Sequence, residues 1–227
     1  MAAPLVITYH YQLPDGSTWS FPVDVNRTVP ATPEREEGFP AWTRLEFHRC
    51  PGCPLADSCT HCPTALDLAP LFERFAHMPS IARLKVRVEA PERTILADTD
   101  AQMGIKTLMG LVMASSSCPV LQRLRSQALF HLPFASLEET LYRTVGDYLI
   151  KQYFVLKDGG TPDFALAGLD TLYRQLADLN IHFYKRIQEA CSKDANINAI
   201  VVMRSMSDIV SMSLDERLQP LREAMQH

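Results

Sequence analysis

Apolar and polar residues alternate with a period of two through much of the first hundred positions. Beyond them they repeat every ~3.6 residues, and the two periods are the signatures of strand and helix. Leu5-Val6-Ile7-Thr8-Tyr9-His10-Tyr11 is rich in β-branched and aromatic residues, Pro14-Asp15-Gly16-Ser17 is a turn signal, and Trp19 to Val25 alternates again. Together they predict a hairpin. Pro30, Pro33, Pro40 and the run Glu34-Arg35-Glu36-Glu37 mark 27–40 as a surface loop. Trp42 to His48 alternates and is expected to be a third strand leading into Cys50. Ala65 to Met78 carries Leu66, Leu68, Leu71, Phe72 and Phe75 at helical spacing, with Pro70 within the first turn as the helix entry. In Ala82 to Glu89, Leu84, Val86 and Val88 share one face and Arg83, Lys85 and Arg87 the other, which predicts a strand with one covered and one wet face.

From residue 99 onward the pattern is helical. Thr99 with Gln102 makes a capping-box pattern for a helix to about Ser115. Pro119 opens a short helix with Cys118 at its N-cap, and Ser136 with Glu139 caps a longer one that Gly159-Gly160 ends. Pro162 stands at the start of a periodic segment running to about Ser192. Asp194 is expected to cap a helix through about Met212, and Ser213 with Glu216 a last one, unless the two are one bent helix. Strands followed by helices, without alternation, predict an α+β fold. The sheet would be small and antiparallel in a β-rich part, 1–97, and a helical bundle would fill 98–227.

Composition narrows the classes of function. The chain has 227 residues, 47% apolar and 21% charged, with a formal net charge of −4, which is ordinary for a globular protein. No basic block points to nucleic acid as a partner. The N-terminus lacks a basic segment followed by an apolar run, and no apolar stretch approaches the ~20 residues a membrane span needs. A cytoplasmic location is the resulting expectation, and in a reducing compartment clustered cysteines favour metal over structural disulfide.

The chemistry concentrates in Cys50-Pro51-Gly52-Cys53, five further residues, and Cys59-Thr60-His61-Cys62. Two C-x2-C pairs supply the four thiolates of a tetrahedral zinc site, so Cys50, Cys53, Cys59 and Cys62 are the expected ligands. Pro51 and Gly52 suit a tight knuckle, and Pro54 and Pro63 stiffen the chain after the second cysteine of each pair. The five-residue gap is shorter than in the usual zinc ribbon and implies a compact single-loop site. His48 or His61 is available to replace a cysteine or to stand behind one. The same four thiolates suit a [4Fe–4S] cluster. The C-x2-C-x5-C portion resembles an auxiliary-cluster segment of one class of radical enzymes, although the last spacing differs and their C-x3-C-x2-C motif is absent. A thiol–disulfide switch is a third reading.

Outside the run, Cys118 between Ser115-Ser116-Ser117 and Pro119 is a candidate reactive cysteine, its thiol lowered in pKa by a helix N-terminus, and His131 of Phe130-His131-Leu132-Pro133-Phe134 is a candidate to pair with it or to approach the cysteine cluster. The plainer account makes Cys118 a buried or capping residue, His131 a core residue bonded to backbone, and Cys191 a small apolar side chain. The methionines Met103, Met109, Met113, Met203, Met206 and Met212 match helix core faces. No phosphate-binding glycine loop, G-x-S-x-G, H-E-x-x-H or dinucleotide fingerprint occurs, so no residue set announces an enzyme.

At Cys50-Pro51-Gly52-Cys53-Pro54-Leu55, His61-Cys62-Pro63, Ser117-Cys118-Pro119 and Phe130-His131-Leu132-Pro133-Phe134 the sequence resembles a bacterial family of uncharacterised proteins over most of its length. The resemblance implies that these segments belong together and brings no activity. The leading expectation is a non-enzymatic metal-binding protein, its structural zinc ordering the loop between sheet and helices, that acts as an interaction or regulatory module. It would meet a protein partner, or form a homodimer, through its helical part. The alternative is a redox protein, carrying an iron–sulfur cluster or using Cys118 as a thiol catalyst.

Overall fold

The computed structural model describes residues 5–27, 38–55, 58–190, 194–211 and 214–226, with backbone alone at 204–211 and 214–217. The expected hairpin is there: β1 (Val6–Gln12) pairs antiparallel with β2 (Thr18–Asp24), Val6 opposite Asp24 and Gln12 opposite Thr18. Gly16 closes the turn at φ +82°, a left-handed conformation that glycine adopts without strain. β3 (Arg83–Ala90) pairs with the other edge of β1. A fourth strand, β4 (Arg93–Asp100), completes an antiparallel sheet of order β2-β1-β3-β4. Its sequence carries no clean alternation, since Ile95, Leu96 and Ala97 are consecutive apolar residues and Leu96 lies 74% exposed on the open face.

One face of the sheet is buried, as the alternation predicts, through Ile7, Tyr9, Tyr11, Leu84, Val86 and Val88. Two helices cover it. In α1 (Pro63–Phe75), Leu68, Leu71, Phe72 and Phe75 form the apolar stripe, and Phe75 sets its ring edge-on to Tyr11 and Trp19. The helix begins two residues before the expected Ala65, with Cys62 at the N-cap and Pro63 inside the first turn, so Pro70 falls in the helix interior rather than at its entry. α2 (Ala101–Ala114) is buried on nearly every side and is the central element of the molecule. Gly104 lets it lie close to the sheet. A Cβ there would meet Leu84, Tyr11 and Val86 at 3.4–3.5 Å, and the Tyr11 hydroxyl donates to the Gly104 carbonyl at 2.9 Å. The cap of α2 is Asp100, which accepts from the Met103 amide, one residue after the expected Thr99.

The remaining helices are α3 (Arg125–Leu129), α4 (Leu137–Lys157), α5 (Ala167–Ala190), α6 (Ala195–Ser211) and α7 (Leu214–Met225). The capping box of α4 forms as expected: the Ser136 hydroxyl accepts from the Glu139 amide and the Glu139 carboxylate from the Ser136 amide. α5 starts at Ala167, later than Pro162 implied, after a turn through Phe164-Ala165. Asp194 precedes α6 as expected, and its carboxylate also binds the amide and hydroxyl of Ser80, tying α6 to the entry of β3. Short helical turns follow Cys118, a 3-10 segment at Leu121–Leu124 and then α3, in place of one helix opened by Pro119.

The fold is α+β, with the sheet in the N-terminal part and helices filling most of the rest. The expected division between residues 97 and 98 falls inside β4, whose pairing with β3 runs on to Asp100. The buried apolar side chains of sheet and helices form one continuous interior, from Ile7 to Ile200. Most of the loop expected at 27–40, the Ser213 cap and Cys191 lie outside the described residues.

The expected third strand at 42–48 is a correction. Ala41–Thr43 is a 3-10 turn, and the segment pairs with the chain only through one isolated bridge, Arg44 with His61. The carbonyls a strand would offer to a ladder are taken by a side chain. Arg186 of α5 donates from Nη1 to the carbonyls of Trp42 at 2.8 Å and Arg44 at 2.7 Å, and from Nη2 to that of Leu45 at 2.9 Å. Alternation alone does not make a strand when the neighbouring segment, 60–62, supplies backbone hydrogen bonds at a single bridge.

Candidate metal centre

The cysteine loop is held at both ends by backbone. The Leu45 amide donates to the Thr60 carbonyl and the Cys62 amide to the Thr43 carbonyl, both at 2.8 Å, so the chain leaves and returns to the same place. Within the loop the Cys53 amide donates to the Cys50 carbonyl at 3.2 Å, and Gly52 takes φ +61°, closing the knuckle that Pro51-Gly52 predicts. Cys62 sits at φ −71°, ψ 116°, the extended conformation a residue preceding proline favours, and α1 starts directly after it.

Three of the four expected ligands come together. Cys50, Cys53 and Cys62 line a cavity of about 280 Å³ between the loop, the start of α1 and the face of α5 that carries Leu179, Phe183 and Arg186. Cys59 does not line it. Its thiol lies 3.8 Å from the Leu55 carbonyl, close enough to Cys53 to feel its charge, and it borders an outer recess with Thr60 and His61 that shares Leu45 and Arg49 with the cavity. His61 is buried, packs edge-on to Phe39 and pairs its Nδ1 with the Thr60 hydroxyl at 2.9 Å, so it belongs to that recess too. His48, at φ +47°, stands outside the cavity wall.

Cys118 joins the three loop thiols in the cavity, brought there by a buried hydroxyl pair. Thr64 in the first turn of α1 and Ser116 just past α2 bond at 2.8 Å, and the Cys118 amide donates to the Ser116 hydroxyl at 3.4 Å. That link places the end of α2 against the start of α1, and so Cys118 against the neighbourhood of Cys62. Among the described residues, no three histidine, cysteine, aspartate or glutamate side chains are grouped closely enough to hold a metal ion as they stand.

The electrostatics of the cavity are those of thiols kept from water. Burial pushes the Cys50 thiol up to about 12; Cys62, Cys118 and Cys53 add to the rise and Arg186 opposes it. Burial likewise pushes Cys62 up to about 11, against the pull of Arg186 and the amides of Ala65 and Thr64. Cys118 is also raised. Burial outweighs the amides of Leu121 and Val120 that point at its sulfur, so the expected activation by a helix N-terminus is reversed. Arg186 itself is 1% exposed. Its Nε has no hydrogen-bond partner, and no carboxylate pairs with it among the described residues.

Cys118 and His131 line different cavities. His131 retains some exposure as a residue, but its ring is the enclosed part, with Nε2 2.5 Å from the Tyr9 hydroxyl, which also bonds Thr107 at 3.1 Å. Burial, helped by the nearby Arg143, lowers its pKa from 6.5 to about 3. The unfolded chain therefore takes up a proton near pH 6.5 that the folded one refuses until near pH 3. Stability is full above that upper value and is lost as the pH falls through the window. His131→Gln should flatten the acid limb between pH 6 and 4, removing up to about 1.4 kcal/mol per pH unit of slope. Urea titrations of both proteins at stepped pH check this, and parallel limbs would refute it.

One signal in the sequence does separate the cavity thiols from the rest. Cys50, Cys53, Cys62 and Cys118 are each followed by proline, whereas Cys59 is followed by Thr60 and Cys191 by Ser192. Spacing groups the four loop cysteines; the residue after each cysteine groups the four that share a cavity.

Comparison with curated proteins and with solved structures finds no match. No helix among the described residues is long and apolar enough to cross a membrane. The profile of one family, described as Domain of unknown function (DUF6901), matches residues 7–226. The expected resemblance to an uncharacterised family holds at that level, and the chain belongs to the DUF6901 family.

Proposed function

We propose that this protein binds a metal ion through thiolates, zinc in a structural role, with Cys50, Cys53 and Cys62 among the ligands. One observation carries the reading: three cysteines spaced along a loop line a single cavity, beside a buried arginine that has no carboxylate partner among the described residues. An ion there would bond the loop to α1 and α5 and so fasten the loop to the helices behind the sheet. Thiolate ligation that fills all four positions leaves no open coordination site for substrate, which favours a structural over a catalytic ion. An interaction role finds support in the apolar side chains exposed along α4, among them Tyr142, Ile150, Tyr153 and Phe154.

A second reading has its own support. A lone zinc holds sulfur at ~2.3 Å and needs no surrounding space. A cavity of about 280 Å³ lined by thiols has room for a larger guest, the [4Fe–4S] cluster of a redox protein.

Elemental analysis and an absorption spectrum of protein purified without oxygen decide between them. One zinc per chain in a colourless protein, lost on Cys53→Ser together with a fall in melting temperature, is the expected result. A brown protein with iron and acid-labile sulfide would replace zinc by the cluster. A protein with neither, and unable to take up either under reducing conditions, would end the metal reading.

A further inference from the structure

The geometry assigns Cys118, rather than Cys59, as the thiolate that completes the set with Cys50, Cys53 and Cys62. This rests on the metal-binding reading above and names its ligands.

Four observations converge on it. Cys118 lines the same cavity as the other three, and Cys59 does not. The Thr64–Ser116 hydroxyl pair is buried and fixes the end of α2 against the start of α1, so Cys118 is held near Cys62 by structure independent of any ion. Each of the four cavity cysteines precedes a proline, which confines it to extended backbone and fixes the φ of the residue that follows. That reduces the freedom each thiol loses when it is drawn onto a metal. Cys59 has no such constraint.

The fourth observation is charge. A divalent ion with four thiolates carries a net charge of about −2, and an iron–sulfur cluster held by four thiolates is anionic as well. A cation close to such a centre stabilises it. Arg186 lines the cavity, is 1% exposed, and leaves Nε without a partner. Its other bonds go to neutral carbonyls. A buried guanidinium without a counter-charge is costly, and a thiolate centre beside it supplies one. The thiols are not grouped for an ion as they stand. Closing them on one requires the four thiols, which line a common space, to move together.

The test uses the full chain, reduced and metal-free, titrated with Co²⁺, whose spectrum reports thiolate ligation. Loaded and empty protein are then alkylated and the modified cysteines mapped by mass spectrometry. Cys50, Cys53, Cys62 and Cys118 should lose reactivity when the ion is bound, while Cys59 reacts at the same rate in both states. Cys118→Ser should weaken Co²⁺ binding by about a hundredfold or more, since even outer-shell changes cost 10–100-fold, and should remove about a quarter of the thiolate-to-cobalt absorption. Cys59→Ser should leave both unchanged. Should Cys118→Ser fail to fold, the footprint on the unaltered chain still decides. If the protein carries an iron–sulfur cluster, the same footprint is taken with and without the cluster.

Ion-dependent protection of Cys59 with unchanged labelling of Cys118 would overturn the inference and leave the metal reading standing. Failure to bind Co²⁺ through sulfur, in a chain without iron, would overturn both.

Discussion

Arg186→Met should cost about 3–5 kcal/mol of folding free energy and free the segment 41–62 from the body of the protein. The guanidinium closes three hydrogen bonds of 2.7–2.9 Å to Trp42, Arg44 and Leu45, and the side chain is 1% exposed. Two effects oppose each other. Removing a buried charge saves its desolvation, which in some proteins makes apolar replacements neutral. That saving is offset here because the partners are backbone carbonyls that stay behind, each costing ~1–3 kcal/mol when left unsatisfied in the interior. The Arg44 carbonyl keeps the Phe47 amide as a donor, so those of Trp42 and Leu45 carry the loss and outweigh the saving. Lysine would not rescue the site, since one compact ammonium lacks the planar fork that reaches the three carbonyls of this one segment. Urea unfolding with a chelator present, so that no bound ion enters the balance, measures the loss. Amide exchange should rise first at Leu45 and Cys62, whose backbone bonds close the loop. A loss under about 1 kcal/mol would show that the loop is held by other means.

The second large effect is expected at the join between sheet and helices. Phe75→Ala should lower stability by about 3–5 kcal/mol, a fall in melting temperature of roughly 10 °C for a chain of this size. Phe75 is fully buried, and its ring meets Tyr11 at 5.3 Å and Trp19 at 5.6 Å between centroids, edge to face. Truncation removes both aromatic contacts and opens a void that the rigid neighbours, one in β1 and one in β2, cannot fill. Phe75→Leu should recover much of the loss, because volume is largely kept. Thermal unfolding of the three proteins checks this ranking; equal melting temperatures would mean that α1 is not what seals this end of the sheet.

What the sequence makes legible follows from how locally each feature is determined. The β1–β2 hairpin and β3 are read correctly because their alternation, turn residues and buried faces all lie within a few positions of one another. The capping box at Ser136 is read for the same reason. β4 is missed because it is an edge strand with Leu96 on the open face, so its apolar residues carry no period. The segment 42–48 is misread because the residue that sets its conformation, Arg186, lies far along the chain on α5. The site shows the same division. Spacing finds Cys50, Cys53 and Cys62, which are near one another in sequence. Cys118 is placed beside them by a contact between Thr64 and Ser116 that no local pattern announces, although the proline after each cavity cysteine was there to be read.

The cavity takes its walls from the loop, from the start of α1, from Cys118 and from α5. Protein synthesis runs at about 5–20 residues per second, so on the order of ten seconds separates the emergence of Cys50 from that of Arg186. During that interval the first three thiols exist without the fourth wall and without the guanidinium. The nascent chain therefore passes through a stage in which these thiols are open to oxidants and to whichever thiophilic metal is abundant. On the metal-binding reading proposed above, loading of the cavity is then a matter of timing as well as affinity: an ion taken up early must survive exchange until α5 closes the chamber.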